Sequence, residues 1–344
     1  MTSIKPSPQG SDRSPRRPLP VRATERPSAP DPVAAALMRR FPGFAPGPEW
    51  SETAAVYPAA ASAEYLALVR EPFFSDPVFR QLAPAAEELQ ATGGADPMGE
   101  EEFEAAPGLL HRYPDRALLL VTSACFLRCR HCMRKRIWRE GAVEPGRERL
   151  SAWRRYLSAH PEIGEIILSG GDPLTLSDRA LSALLQLLRD LRPRRALRVH
   201  SRALVAAPAR ITPTLAALLA GAGVRRFVTQ FNHPAELSGP ALRAAGALRA
   251  AGIEVENQAV LLRGVNDSAS TLAALFGGLA AAGIRPYYLH HPDPAAGAMH
   301  FYLPLDTGAA IWRELAAISR GPLPEYVVDL PGREGKRRVE EIRK

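Results

Sequence analysis

From about residue 117 onward, the sequence alternates short apolar runs with amphipathic helical patterns. The apolar runs have the length of strands, and the segments between them repeat their apolar residues at helical spacing. This alternation is typical of β/α units around a parallel sheet, so the predicted fold class is α/β. Six runs are predicted strands and a seventh follows the last helix, at 117–122, 165–169, 197–201, 226–231, 254–262, 285–290 and 326–330.

The helical patterns are clearest between the second and third strands. There, Leu181, Leu184, Leu185 and Leu188 repeat at i, i+3, i+4 and i+7 behind Ser177, which can cap a helix. Six such units form either a doubly wound open sheet or a partial barrel, and periodicity alone does not choose between them. In both architectures ligands bind at the carboxyl ends of the strands. Further helices are predicted around 149–158, 213–221, 241–251, 269–282 and 308–318.

The chain is predicted to have three parts. Residues 1–32 hold eight prolines. This composition buries too little apolar surface to offset the entropy of ordering and predicts a disordered basic tail. Residues 33–110 are predicted to form a helical N-terminal extension, broken by Pro and Gly, and residues 111–344 the core with its C-terminal segment.

The charge of the chain is concentrated at its start. Residues 1–40 contain eight Lys or Arg and three Asp or Glu, so five of the eight net positive charges lie there. The rest of the chain is nearly balanced, which argues against a nucleic-acid partner. No run approaches eighteen apolar residues and the start does not resemble a secretory signal, so we expect a cytoplasmic protein with no membrane contact.

The three cysteines of the chain, Cys125, Cys129 and Cys132, lie within eight consecutive residues after the first predicted strand. This arrangement argues against disulfides and for metal chemistry in a reducing compartment. Three thiolates can hold an iron-sulfur cluster that lacks its usual fourth cysteine, which leaves one iron open. The spacing resembles the radical S-adenosylmethionine (SAM) superfamily, in which SAM fills that position. The alternative is a structural zinc site, for which His131 is poorly placed as the fourth ligand.

A turn of Ser169, Gly170, Gly171 and Asp172 ends the second predicted strand. Paired glycines allow the backbone to approach a ligand closely. Taken alone, the pair indicates only a tight β/α turn. In the superfamily that the cysteines resemble, the corresponding turn contacts the amino group of SAM.

Four motifs make the resemblance more specific. The segments 107–116, 129–136, 231–234 and 257–267 together closely resemble the lysine 2,3-aminomutase family, and the match runs from about residue 96 to the C-terminus. Membership implies a partial (β/α)6 barrel, a [4Fe-4S] cluster that binds SAM, and pyridoxal 5'-phosphate (PLP). The implied reaction is the migration of an amino group between adjacent carbons, most simply from L-lysine to L-β-lysine.

The resemblance assigns residues to PLP. Lys336 ends the segment 331–336, which resembles the glycine-rich turn that carries the family's PLP-binding lysine. Such a lysine is expected at the end of a loop, free of ion pairs. Arg112 and Tyr113 are implied to help hold PLP, with the arginine paired to its phosphate. The alternatives are a solvated lysine in a basic tail, an ordinary ion pair and a core aromatic residue.

The same resemblance assigns residues to the substrate and to SAM. Arg134 is implied to bind the substrate carboxylate as a bidentate fork, and Gln258 is implied to face SAM together with the 169–172 turn. Asp293 and Asp329 match the two carboxylates that receive the distal ammonium of lysine. A single aspartate is more often a cap or a turn residue.

Some features leave the substrate and the assembly open. The chain ends eight residues after Lys336, where the enzymes for free lysine carry a further segment used in assembly. The oligomeric state of those enzymes therefore does not carry over to this chain, for which a homo-oligomer is one possibility. The stretches 200–202, 208–212 and 286–290 look closer to a relative that isomerises lysine for elongation factor P. The alternatives are therefore an aminomutase for arginine or for that lysine, and a zinc-stabilised binding protein without catalysis. An enzyme of this kind is expected to need an electron donor such as flavodoxin or ferredoxin.

Overall fold

One sheet organises the chain. The computed structural model describes residues 31–140, 145–191, 196–332 and 335–342, and most of the predicted tail lies outside them. Ten strands occur in these ranges, and their order in the sheet follows their order in the chain. They are β1 (Glu104–Ala106), β2 (Leu109–Tyr113), β3 (Arg116–Thr122), β4 (Glu165–Gly170), β5 (Ala196–His200), β6 (Val224–Thr229), β7 (Glu254–Val260), β8 (Arg285–His290), β9 (Glu325–Leu330) and β10 (Gly335–Arg338).

The central strands are parallel. Each strand from β3 to β9 pairs in parallel with the next one. A doubly wound sheet reverses its strand order at a switch point, whereas this order never reverses. Among the described residues the two edge strands, β1 and β10, do not pair with each other, so the sheet stays open. This topology confirms the predicted partial barrel.

Helices fill the connections between the parallel strands, as predicted. The predicted helix behind Ser177 is present. Ser177 caps its N-terminus, since its Oγ accepts a hydrogen bond from Ala180 N at 3.3 Å. The four leucines of its pattern are buried against the sheet. The connecting helices are α5 (Arg147–Ala159), α6 (Asp178–Leu191), α7 (Ala203–Ala206), α8 (Pro213–Gly221), α9 (Gly239–Ala250), α10 (Ala269–Ala281) and α11 (Leu305–Ile318), and α12 (Val339–Ile342) follows β10.

The N-terminal extension is only partly helical. Its helices are α1 (Pro32–Arg40), α2 (Pro48–Val56), α3 (Ala63–Leu66) and α4 (Pro77–Leu82). Beyond them, β1 and β2 form a hairpin that adds antiparallel strands to β3, where the sequence predicted helix up to residue 110. The hairpin turns at Gly108, whose φ of +70° favours glycine. The prediction missed these strands because they are too short to show a period of two.

The extension and the barrel share one core. Leu37, Tyr65 and Phe79 of the extension belong to the same buried cluster as Leu119 and Phe227 of the sheet. The extension is therefore part of the folded unit and can position residues at the site. None of the described helices combines the length and the apolar character needed to cross a membrane.

Candidate active site

A cavity of about 590 Å³ opens at the carboxyl ends of the parallel strands. This volume lies in the range of small-molecule sites. Every site residue predicted from the sequence lines it, although these residues span the chain from position 112 to position 336. They are Arg112, Tyr113, Cys125, Cys129, Cys132, Arg134, Ser169, Gly170, Gly171, Asp172, Gln258, Asp293, Asp329 and Lys336.

The loop after β3 brings the three cysteines together as free thiols. Burial raises the pKa of Cys125, and the negative charges of Asp172 and the other two cysteines raise it further. Burial, followed by the charge of Cys129, raises the pKa of Cys132 to about 11. Thiolates in such a desolvated group need positive charge, and bound iron would supply it. The residues therefore fit the iron-sulfur cluster that their spacing predicts.

The zinc alternative depends on a histidine near the cysteines. His131 Nε2 instead lies 3.0 Å from Gln230 Nε2 and 3.3 Å from Asn232 Nδ2. These contacts hold its ring against two amides that follow β6. His131 Nε2 is thus engaged by these amides, which disfavours it as the fourth ligand of a single zinc ion.

Buried charges brace the cysteine loop from the N-terminal side. Glu88, in the 3-10 helix Ala86–Leu89, accepts from Arg130 Nε at 2.8 Å and from Arg130 Nη2 at 2.5 Å. The ammonium of Lys135 lies 2.6 Å from the same carboxylate. Neither Arg130 nor Glu88 has any exposed side-chain surface. The extension therefore holds the loop at Arg130, between the second and third cysteines, and at Lys135, beyond the third.

The paired glycines serve the packing of this loop. Gly170 has φ of +117°, and a Cβ at that position would lie 2.6 Å from the carbonyl oxygen of Thr122. A Cβ at Gly171 would overlap the carbonyl oxygen of Ala124. The backbone N–H groups of Gly171 and Asp172 donate to these two carbonyls at 2.5 and 2.7 Å. Glycine is thus required at these positions because the turn packs closely against the start of the cysteine loop. Contact of this turn with SAM stays a prediction.

The side chain of Asp172 ties the end of β4 to the segment after β5. Its carboxylate accepts hydrogen bonds from Leu174 N at 3.0 Å, Ser201 Oγ at 2.8 Å and Arg202 N at 2.9 Å. Burial raises its pKa to about 6, and these hydrogen bonds act in the opposite direction. With both oxygens occupied by protein donors, Asp172 positions the turn beside the cysteines.

The predicted PLP lysine lies on a strand and is ion-paired. Lys336 is opposite Asp329 in the antiparallel pairing of β10 with β9, and its Nζ lies 2.8 Å from Asp329 Oδ2. The other oxygen of Asp329 lies 3.0 Å from Arg112 Nη1. Arg112 also donates to Gly332 O at 2.8 Å and to Leu330 O. The expectation of a lysine at a loop end, free of ion pairs, is therefore wrong, because the strand register sets Lys336 against Asp329. Residues 333 and 334 of its motif lie outside the described residues.

Tyr113 supports the start of β10. Gly335 has φ of +69°, and a Cβ at that position would lie 2.8 Å from the Tyr113 hydroxyl. The guanidinium of Arg116 lies 4.4 Å from the centre of the Tyr113 ring. Tyr113 thus packs beside the residue that precedes Lys336, which is compatible with its predicted place near PLP.

Asp293 differs from Asp329 in its contacts. Among the described residues, no group forms a hydrogen bond or an ion pair with its carboxylate. Burial raises its pKa to about 7, and the negative charge of Asp329 adds to the rise, while Lys336 and Arg134 lower it. An acid in this environment gains stability when a cation approaches.

The predicted substrate arginine already binds a carboxylate of the protein. Arg134 Nε lies 3.0 and 2.9 Å from the two oxygens of Glu100, and its Nη2 lies 2.5 Å from one of them. Glu100 also accepts from Arg136 at 2.7 Å. Although burial acts to raise it, the two guanidinium groups lower the pKa of Glu100 to about 2. The bidentate fork exists, and sequence reasoning missed its occupant because residues 100–102 look like a solvated acidic run.

Two histidines near Lys336 were also missed. His200 and His290 end β5 and β8 and line the cavity. Burial lowers the pKa of His290 to about 3, and the charge of Lys336 lowers it further. Burial likewise lowers the pKa of His200. Both rings are therefore neutral at physiological pH, and the rule that ligands bind at strand ends would have identified them.

Comparison with known proteins gives the same picture for most of the chain. Residues 119–275 match the sequence model of the Radical SAM superfamily. The chain is 40% identical over 290 residues to a protein of Aquifex aeolicus, a match that covers 83% of this chain and 78% of that one. It is 38% identical over 275 residues to the L-lysine 2,3-aminomutase of Clostridium subterminale, covering 79% and 66% of the two chains. It is 40% identical over 268 residues to the L-lysine 2,3-aminomutase of Escherichia coli K12, covering 76% and 77%.

Proposed function

Because the chain belongs to the lysine 2,3-aminomutase family of radical SAM isomerases, we propose that it converts L-lysine to L-β-lysine by a 1,2-migration of the amino group, with PLP as a cofactor. The observation that carries the proposal is the unpaired Asp293 carboxylate in a cavity that also holds Lys336 and Asp329. When bound, the cluster and SAM would supply the radical that removes hydrogen from the substrate, and PLP would carry the migrating amino group.

Lys336 is the best candidate to hold PLP. The chain has four lysines, and Lys336 is the one that lines the cavity within the described residues. Lys135 is buried against Glu88 at 2.6 Å, away from the cavity. An amine must lose a proton before it can bond to a carbonyl carbon. Asp329 Oδ2, at 2.8 Å from Nζ, would accept that proton and pass it on to solvent.

The ion pairs of Asp329 explain how the site would receive a second cation. If the Lys336 nitrogen bonded to PLP without its ammonium charge, Arg112 would be the remaining ion-pair partner of Asp329 among the described residues. Asp329 and Asp293 would then present two carboxylates to the cavity, with the Arg112 guanidinium beside Asp329. The distal ammonium of lysine would supply the missing positive charge, since an unpaired buried charge is costly.

Arg134 would bind the other end of the substrate. Its guanidinium already has the geometry to bind a carboxylate, since it makes a forked contact with Glu100. A substrate carboxylate at this position has to share the fork with Glu100 or displace it. Arg134 and the aspartate pair would then fix both ends of an extended amino acid and hold its middle carbons in the cavity.

We further propose that the protein works in a reducing cytoplasm. The three thiols that would bind the cluster are free. Reduction of the cluster would require an external donor such as flavodoxin or ferredoxin, because the family chemistry begins with a reduced cluster.

The test is an anaerobic assay of the reconstituted protein with SAM, PLP and dithionite. Lysine, arginine and glutamate are supplied separately and the products are separated by chromatography, with Cys129→Ala as the inactive control. We expect β-lysine from lysine and no product from glutamate. A β-amino product from arginine alone would assign a different substrate. A colourless protein with one zinc per chain would favour the binding protein instead.

A further inference from the structure

Arg202 contacts the sulfur of a predicted cluster ligand. It lies two residues beyond the end of β5, and its Nη1 is 2.8 Å from Cys129 Sγ. Its backbone N–H donates to Asp172 at 2.9 Å, and its Nε donates to the carbonyl of Gln230 at 3.0 Å. Two further hydrogen bonds of Arg202 therefore fix its position at the sulfur.

A buried carboxylate holds the guanidinium from behind. Arg202 Nη2 donates to Glu236 and to Gln81, both at 2.7 Å. Glu236 has no exposed side-chain surface and also accepts from the Tyr65 hydroxyl at 2.8 Å and from Asn232 N at 2.6 Å. Only 9% of the Arg202 side chain is exposed. The positive charge is therefore desolvated, and the guanidinium cannot swing away from the sulfur without breaking its ion pair with Glu236.

The other two cysteines have no such partner among the described residues. Cys132 Sγ accepts from the neutral backbone N–H of Arg134 at 3.3 Å. Within the part of the chain that the structure describes, no charged side chain forms a hydrogen bond with the sulfur of Cys125 or Cys132. The cysteine loop thus has one ligand sulfur that is distinguished by a fixed cation.

We propose that Arg202 sets the reduction potential of the iron-sulfur cluster by holding a positive charge against the sulfur of Cys129. Reduction adds one negative charge to the cluster, and a nearby cation stabilises the reduced form more than the oxidised form. Hydrogen bonds to ligand sulfurs and local charge are among the factors that set such potentials. Glu236 lies behind the guanidinium and partly offsets its charge, so the two residues act in opposite directions.

This inference rests on the cluster that the proposed function includes, but not on the amino-acid substrate. A cluster with Arg202 in place is easier for an electron donor to reduce. A cluster without it needs a stronger reductant, although its iron ligands are unchanged. Arg202 thus acts through Cys129, beside whose sulfur it holds a positive charge, and is not itself an iron ligand.

The experiment compares the reconstituted wild type with Arg202→Gln, Arg202→Lys and Glu236→Gln. Iron and sulfide are measured first, and an anaerobic redox titration then follows the electron paramagnetic resonance signal of the reduced cluster, without any amino acid. We expect Arg202→Gln to keep about four irons per chain. Its equilibrium constant for reduction should fall about tenfold, or about 59 mV for one electron. Arg202→Lys should shift the potential less in the same direction, and Glu236→Gln should shift it upward.

Opposite shifts in the arginine and glutamate variants would support the proposal. An unchanged potential in Arg202→Gln with full iron content would overturn it, as would shifts of the same sign in Arg202→Gln and Glu236→Gln. If Arg202→Gln fails to hold iron, Arg202→Lys and Glu236→Gln decide by the same criteria. Failure of the lysine assay leaves this test intact, whereas absence of iron from the wild type would overturn the cluster assignment itself.

Discussion

Lys336 and Asp329 face each other across the antiparallel pair of β10 and β9, with Nζ 2.8 Å from Oδ2. Successive side chains of a strand point to opposite faces, so a slip of one residue would turn Lys336 away from the cavity. The register of this edge strand thus decides whether Lys336 faces the cavity.

Replacement of Lys336 should remove the covalent attachment of PLP. Lys336→Arg keeps a cation opposite Asp329 but cannot form the bond, so it separates the ion pair from the attachment. We expect both Lys336→Ala and Lys336→Arg to lose the PLP adduct that borohydride traps in the wild type, with iron content unchanged. Peptide mapping of the trapped protein checks this, and an adduct that persists in Lys336→Arg would place PLP on another lysine.

Removal of Asp293 should weaken lysine turnover without affecting the cofactors. Asp293→Asn leaves the substrate ammonium short of one carboxylate, and a broken buried pair costs about 3–5 kcal/mol, or a few hundredfold to several thousandfold. We expect kcat/KM for lysine to fall by about 10²-fold or more with normal iron and PLP. Asp329→Asn should lose turnover too, together with PLP attachment, because Asp329 holds Lys336. Unchanged lysine kinetics in Asp293→Asn would remove this residue from the substrate site.

The raised pKa of Asp293 in the protein without substrate predicts two pH effects, one on stability and one on lysine binding. Its pKa rises from 3.8 to about 7 on folding, so the folded state binds this proton more tightly than the unfolded state. The associated stability is present at low pH and is lost as the pH rises through about 7. Thermal unfolding should therefore show that the stability of Asp293→Asn, relative to that of the wild type, increases as the pH is raised from 5 to 8. The affinity of the wild type for lysine should also increase from pH 5 to pH 8, because only the ionised carboxylate pairs with the ammonium of lysine. Equal affinity at the two pH values would contradict this.

Neutralisation of Glu100 should increase the affinity for substrate. Glu100→Gln leaves the Arg134 fork without its carboxylate, whereas Arg136 keeps its ion pair with Asp96, and the freed charge of Arg134 favours an incoming carboxylate. We expect KM for lysine to fall roughly tenfold, a change of about 1.4 kcal/mol. The exposed neighbour Glu101 provides a control, since Glu101→Gln should leave KM unchanged. A higher KM in Glu100→Gln would instead mean that Glu100 orients Arg134 for the substrate.

Loss of Glu88 should destabilise the cysteine loop. Glu88→Ala leaves Arg130 and Lys135 buried without their carboxylate, at a cost of about 3–5 kcal/mol. We expect a lower free energy of unfolding in denaturant titrations and reduced iron content after reconstitution. Glu87→Gln, at an exposed position one residue away, should change neither quantity. Full iron content in a stably folded Glu88→Ala protein would show that the loop does not depend on this ion pair.

The sequence predicted the parallel strands and the residues of the cavity well. Each β/α unit leaves a periodic pattern, and ligand residues follow strands, so Cys125 and Asp293 could be placed by their positions in the chain. Gln258 lies within β7 and was assigned by the family resemblance instead. The edge strands left no such pattern. β10 is polar and β1 has three residues, so neither alternates long enough to be recognised.

The partners of the site residues were harder to predict than the residues themselves. The pairing of Lys336 with Asp329 depends on the register of β10, and the pairing of Arg134 with Glu100 depends on how the extension folds back. Arg202 meets Cys129 because segments that are separated by more than seventy residues, one after β3 and one after β5, adjoin at the carboxyl ends of the strands on either side of β4. Contacts of this kind depend on tertiary geometry, which periodicity and motif spacing do not encode.

The strand order also has a consequence for biosynthesis. Because the strands of the sheet follow the chain, the ribosome completes Glu88 and the cysteine loop before it makes any strand from β4 to β10. Lys336 is made only with β10, after Asp329, its partner in the sheet. Domains are synthesised from the N-terminus at about 5–20 residues per second, so the three thiols precede Lys336 by roughly ten to forty seconds. The nascent chain thus presents the proposed cluster ligands well before the proposed PLP lysine.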